Sequence, residues 1–112
     1  MADFQRARAF ALSLPGVSEA PHHEMSSFRV NGTIFATIPP GGEYLHVFVD
    51  EAETRAAVAE DPAAFATLFW GRRPRGLRVT VAAADGARLE ELIEESWHRK
   101  APRQLRAERD GG

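Results

Sequence analysis

The chain has 112 residues, of which 44% are hydrophobic and seven are phenylalanine, enough for one domain with a real core and too few for two. It contains no cysteine, which excludes disulfides, thiolate metal sites and a thiol nucleophile, and leaves folding to burial alone. The net charge of −2 hides an asymmetry: residues 1–71 hold four basic and nine acidic side chains, net −5, whereas residues 72–112 hold ten basic and seven acidic, net +3, so an anionic partner would face the C-terminal part.

The N-terminal stretch carries Asp3 early and has no uninterrupted apolar run of leader length. No later run approaches the roughly 18 apolar residues of a membrane helix, so a cytoplasmic protein, away from membranes, is expected. The segment "DFQRARAFALSLPGV" predicts an amphipathic helix: Asp3 can cap it, Phe4, Ala7, Ala11 and Leu14 recur at helical spacing, and Pro15-Gly16 stop it. "SEAPHHEM" reads as a polar connection. "SFRVN" and "TIFATI" flank Asn31-Gly32, a strong signal for a tight hairpin because a type I′ turn needs positive φ at both central residues. Phe28 and Val30 share one face, and Ile34, Ala36 and Ile38 form an alternating face on the partner strand. "EYLHVFVD" supplies a third strand after the "PPGG" turn.

Asp50, with Glu53 three residues on, opens a second helix in a pattern like a capping box, and its apolar face is mostly alanine. "PAAFATLFW" leads into an arginine-rich turn, and "GLRVTVA" is a strand by its β-branched alternation. The final helix, "DGARLEELIEESWHRK", places Leu89, Leu92, Ile93 and Trp97 along one stripe. This order predicts an α+β two-layer sandwich, an antiparallel sheet with helices packed on one face, over residues 1–102. Residues 103–112 are set apart as a charged tail that need not be ordered.

Candidate sites divide into those with a solvated explanation and one that stands out. No Gly-Lys-Ser/Thr phosphate loop and no Gly-x-Ser-x-Gly elbow is present, so no catalytic residue is assigned and a non-enzymatic protein is expected. His22, His23 and Glu24 could ligate a metal with His46 nearby, but adjacent histidines point apart, and a solvated loop is the better reading; no metal or cofactor is expected. Glu90, Glu91, Glu94 and Glu95 read as a solvated helix face, with Glu94–His98 and Glu95–Arg99 as i,i+4 pairs. Trp97 belongs to the core, and burial of Trp70 is favoured over exposure. The stretch "LFWGRRPRGLRVTV" places Arg72, Arg73, Arg75 and Arg78 within seven residues, with Pro74 to stiffen them. Guanidinium forks match phosphate oxygens in pairs, while the same charges also keep a turn soluble or pair with the acids of residues 50–61. On residue chemistry alone the solvated turn is the stronger reading.

A resemblance changes that balance. "ALSLPGV", "SFRVNGTIFATI", "VDEAE", "AEDPAAF", "WGRRPRGLRVTVAAAD" and "LEELIEESWHRKAP" occur in the order found in the bacterial MmcQ/YjbR family, from about Phe4 to Pro102, and the chain resembles that family over this length. The resemblance implies a two-layer α+β fold akin to secretion-chaperone domains. It further implies a DNA-binding role linked to a "double wing" of strands and loops. On this reading Arg72, Arg73, Arg75 and Arg78, joined by Arg29 on the same sheet, contact the phosphate backbone of DNA largely without sequence specificity. Many relatives carry lysine where this chain has Thr33; if that lysine contacts phosphate in them, this chain lacks the contact. No helix face rich in Arg, Asn or Gln is present for reading bases. The competing reading is a non-catalytic protein- or small-ligand-binding module of chaperone-like fold, using an exposed sheet face and the Phe69–Trp70 region. A monomer is expected.

Overall fold

Three aspartates start the three long helices. In the computed structural model, which describes residues 3–111, Asp3 accepts a hydrogen bond from the Arg6 amide (2.8 Å) at the head of α1, Phe4–Ser13. Asp50 accepts from the Glu53 amide (2.8 Å) before α2, Glu51–Glu60, and Asp85 from the Arg88 amide (3.0 Å) before α3, Gly86–Lys100. Each bond satisfies an amide that the first helical turn leaves without a partner. The Glu53 carboxylate does not complete a capping box; it accepts from Arg88 Nη2 (2.9 Å), and Arg88 Nε also donates to Glu60 (2.9 Å), so one guanidinium fastens both ends of α2 to α3.

Six strands form one antiparallel sheet: β1 Val17–His22, β2 Met25–Val30, β3 Thr33–Ile38, β4 Tyr44–Val47, β5 Phe65–Trp70 and β6 Arg73–Thr80, in spatial order β1-β2-β3-β4-β6-β5. The Asn31-Gly32 turn forms as expected, with φ of 51° and 80°. "SEAPHHEM" is not a connection. Its first part is the edge strand β1, paired with β2 from Val17↔Val30 to His22↔Met25, and His23 and Glu24 are the turn. Pro21 disguises this strand in the sequence, and it is tolerated because an edge strand has amides that pair with nothing. A single 3₁₀ turn, Val81–Ala83, links β6 to α3. The segment set apart as a tail contains a fourth helix, α4 Arg103–Asp110, held by the bidentate pair Arg109–Glu94 (3.1 Å for both bonds) and by Leu105 packed over Gly16. Met1, Ala2 and Gly112, at the ends of the two segments drawn from the sequence, lie outside the described residues.

Cross-strand partners share a face, so the register shows what each face contains. Phe28, Ala36, Val47 and Leu77 make one row, and Leu45, Val79 and Phe65 the next; all are buried under the helices with Trp97, Leu89, Leu92 and Ile93. The Trp97 indole N–H is satisfied by the Pro15 carbonyl (3.1 Å). The opposite row runs Ala20, Ser27, Thr37, His46, Arg78, Ala66 across all six strands. The helices therefore cover one face and leave the other to polar side chains, which is the two-layer α+β architecture expected.

The alternation read for β3 is broken. Phe28 pairs with Ala36 but Arg29 with Ile34, so Phe35 is the extra residue of a bulge, buried beside Ala36, and Ile34 is turned to the outer face. The Phe35 carbonyl and the Phe48 amide lie one residue past Ala36↔Val47, where the pairing of β3 with β4 ends. Ser96, on the buried stripe of α3, answers both: its hydroxyl donates to Phe35 O (2.6 Å) and accepts from Phe48 N (2.9 Å). Ser96→Ala is expected to cost about 1–3 kcal/mol for each backbone group left unpaired. Urea unfolding should show this as a lower midpoint with an unchanged m-value.

Candidate nucleic-acid interface

The arginine cluster sits on a two-stranded ribbon that extends past the sheet. β6 pairs with β4 only from Leu77 to Thr80, whereas it pairs with β5 along its whole length, so Arg73 to Gly76 and their partners project beyond the end of β4. At its base Gly76 packs against β4 so closely that a Cβ would come within 2.4 Å of the Val47 carbonyl oxygen. Leu68 pairs with Gly76 and Phe69 with Pro74, which makes Arg75 the extra residue of a second bulge. A bulge changes the direction in which a side chain leaves the strand. Here it brings the Arg75 guanidinium 4.4 Å from the centroid of the Trp70 ring and 5.7 Å from that of Phe48.

The sequence-predicted residues fall into distinct positions. Arg72 lies in the Gly71-Arg72 turn at the ribbon tip and Arg73 opens β6, both exposed. Arg78 belongs to the outer row: its guanidinium lies 5.0 Å from the Tyr44 ring centroid, and its Nε donates to His46 Nε2 (3.3 Å). Arg29 is also on the outer face, where it donates to Ser27 Oγ (3.2 Å) and Pro21 O (3.5 Å), but β3 and β4 separate its strand from β6, a distance of about 14 Å at normal strand spacing. The structure thus gathers Arg72, Arg73, Arg75 and Arg78 along one ribbon and sets Arg29 apart. Thr33 is exposed at the start of β3.

Charge pairing separates these arginines from five others, one of them Arg55, paired with Glu51. Arg6 pairs with Glu90 (2.7 Å), Arg8 with Glu19 (2.8 Å), Arg88 with Glu53 and Glu60, and Arg109 with Glu94. Among the described residues, Arg29, Arg72, Arg73, Arg75 and Arg78 have no carboxylate within salt-bridge distance, and the acids of residues 50–61 do not reach the ribbon arginines. The i,i+4 pairs expected on α3 are replaced by tertiary ones. Glu94 takes Arg109, His98 lies 3.7 Å from Asp110, and Arg99 donates to the Phe48 carbonyl.

Sequence reasoning missed two features. Trp70, expected to be buried, is 64% exposed, and Phe69 beside it is 54% exposed, while Trp97 is fully buried. The signal was the run "LFW" at a turn: β4 ends before it, and β5 is an edge strand of the sheet. The second feature is a groove of about 330 Å³ on the outer face, between the two edge hairpins. It is lined by His22 and Met25 from one, by Leu68, Phe69, Trp70 and Arg75 from the other, and by Ile34, Thr37, His46, Phe48 and Lys100 between them. This lining contains cations, histidines and rings, and no carboxylate. His22 and His46 share the groove, but among the described residues no three His, Cys, Asp or Glu side chains converge as a metal site would need. Among them too, no helix is long and apolar enough to cross a membrane.

A family model described as YjbR matches residues 12–99. The chain belongs to the YjbR family. In fold it is similar to the crystal structure of Deinococcus radiodurans protein DR2400, which carries a DUF419 domain: the TM-score is 0.76 with 19% identity, over 96% of this chain and 88% of that one. A search of curated proteins found no match. Membership accounts for the sheet and helix order, and at this identity the solved relative speaks for the fold alone.

One member of the outer row has its protonation shifted by its surroundings. Burial lowers the pKa of the His46 imidazole below its ordinary value, and the neighbouring Arg78 charge lowers it further. The neutral ring is also the form whose Nε2 can accept the Arg78 hydrogen bond. The unfolded chain therefore takes up this proton first. His46 leaves stability unaffected well above the unfolded pKa of about 6.5 and destabilises the fold as pH falls through it. Between about pH 7.5 and about pH 5 the urea midpoint of the wild type should drop more than that of His46→Gln.

Proposed function

We propose that this YjbR-family protein is a non-catalytic DNA-binding protein that grips the phosphate backbone with its β5–β6 ribbon, largely without sequence specificity. The observation that supports this most directly is the set of four arginines on one ribbon with no carboxylate partner among the described residues, whereas Arg6, Arg8, Arg55, Arg88 and Arg109 are tied to glutamates. An arginine without a carboxylate keeps its fork of donors for phosphate oxygens and releases counterions when it finds them. Arg72 and Arg73, at the tip, meet the backbone first; Arg75, held against Trp70, presents its charge in the groove, and Arg78 lies against Tyr44. Arg29 extends the positive face toward β2.

All helices named above that contact the sheet pack on its other face, so no recognition helix is offered to a major groove, and base-specific readout is not part of the proposal. The exposed Phe69–Trp70 pair also suits the competing reading, a protein- or small-ligand-binding module, whose binding would tolerate salt.

Fluorescence anisotropy of labelled DNA at about 50 and about 200 mM salt tests the proposal. Four phosphate contacts give a salt slope of about −3.6, hence a loss of affinity on the order of a hundredfold across this range. The Arg72/Arg73/Arg75/Arg78 to Ala variant should lose both the affinity and the slope. Absence of wild-type binding at tens of micromolar would refute the phosphate grip.

A further inference from the structure

We infer that the ribbon takes single-stranded nucleic acid, with unpaired bases stacked on Trp70 and Phe69 while Arg72, Arg73 and Arg75 hold the adjoining phosphates. This rests on the reading that the face binds nucleic acid, and it names the form that is bound.

Among the described residues, Phe69 and Trp70 are the large hydrophobic side chains left exposed, while the others are buried or partly buried. They are neighbours in sequence and lie at the tip of a ribbon that has no covering layer. A ring in that position has its flat surface available, and every nucleobase has a matching π-face. Arg75 occupies one side of the indole at 4.4 Å, which fixes the ring by a cation–π contact; with 64% of the residue exposed, the other side is open. The same alternation continues inward. Arg75 also lies 5.7 Å from the Phe48 ring, and Arg78 lies 5.0 Å from Tyr44. Guanidinium and ring thus interleave from the ribbon tip to β4, which is the composition of surfaces that track a single strand, with cations on the backbone and rings under the bases.

A duplex uses less of this surface. Its base faces are already stacked on each other, so only its phosphates and groove edges can meet the ribbon, and Phe69 and Trp70 would gain no stacking partner. The groove beside them, about 330 Å³, admits flat rings and is far smaller than a double helix. The groove lining holds no carboxylate, so nothing there repels a strand. Its polar groups, His22, Thr37 and His46, are too few to read successive base edges, and tolerance of sequence follows.

The chain is suited to a direct test because it has two tryptophans, of which Trp97 is fully buried and Trp70 exposed, so ligand-dependent quenching of emission reports on Trp70. Wild-type protein is titrated at about 50 mM salt with an oligothymidine of about 12 nucleotides, within the site sizes of single-strand binders, and with a duplex of the same length. Affinities are measured in parallel by anisotropy for the wild type, Trp70→Ala, Trp70→Phe and Arg72→Ala/Arg73→Ala.

The expected result is strong quenching by the single strand and tighter binding of it than of the duplex. Trp70→Ala should weaken single-strand binding by roughly five- to a hundredfold, with little change for the duplex, and Trp70→Phe should retain most of it. Thermal unfolding of Trp70→Ala should match wild type, because the side chain packs on so little. Duplex binding as tight as single-strand binding, with Trp70→Ala neutral and the Arg72/Arg73 variant impaired, would overturn the stacking proposal and leave the phosphate grip standing. Failure of both nucleic acids to bind would overturn both.

Discussion

The outer face owes its shape to one buried hydroxyl. Ser96 is the point where α3 joins the two places at which the sheet departs from regularity: the bulge at Phe35 and the exit of the chain from β4 at Phe48. Its hydroxyl stands between the Phe35 carbonyl and the Phe48 amide, one position past the last β3–β4 pair, and an interior that excludes water tolerates such groups only when they are answered. With Ser96 in place, Phe35 is buried under the helices and Ile34 is released to the other side, while Phe48 leaves β4 to support the ribbon beside Gly76. The polar face is therefore a consequence of core packing as much as of the residues displayed on it.

What was legible in the sequence was local. Aspartates ahead of periodic apolar runs marked the three long helices, because a cap and the turn it serves are three residues apart. Asn31-Gly32 fixed a hairpin for the same reason. What was not legible depended on partners distant in sequence. β1 is polar and contains Pro21; it is a strand only because β2 offers its ladder and the free edge excuses the proline. Neither bulge has a periodic signature. The helix-surface pairs of α3 gave way to Arg109 and Asp110 from α4, since a bidentate arginine from another element binds a carboxylate better than an exposed neighbour one turn away.

The candidate site divides in the same way. Four arginines in seven residues show in the composition, but a charge count cannot tell a neutralised guanidinium from a free one, and that distinction required the ion pairs of Arg6, Arg8, Arg88 and Arg109. Trp70 was misjudged because a tryptophan in an apolar run is normally buried. It is exposed because β4 ends at Val47 and the tip of the ribbon runs past that point. Arg29 shares the sheet and the sign of charge, but the strand order keeps it well away from the ribbon.

A two-stranded ribbon alone in water is marginal, so its rigidity has to come from where it is rooted. Gly76 lets the ribbon lie directly on the backbone of Val47 and Phe48, a contact that any side chain would block. Arg75, turned inward by its bulge, then lies between Phe48 at the root and Trp70 at the tip. A long charged side chain loses several rotatable degrees of freedom when it is fixed, and here most of that loss is incurred on folding and not on binding. The Trp70 ring is accordingly held against Arg75 in the folded chain, while Arg72 and Arg73, beyond the stacked pair, stand exposed. A held ring beside exposed cations suits a ligand whose flat groups are uniform in shape and whose backbone is not.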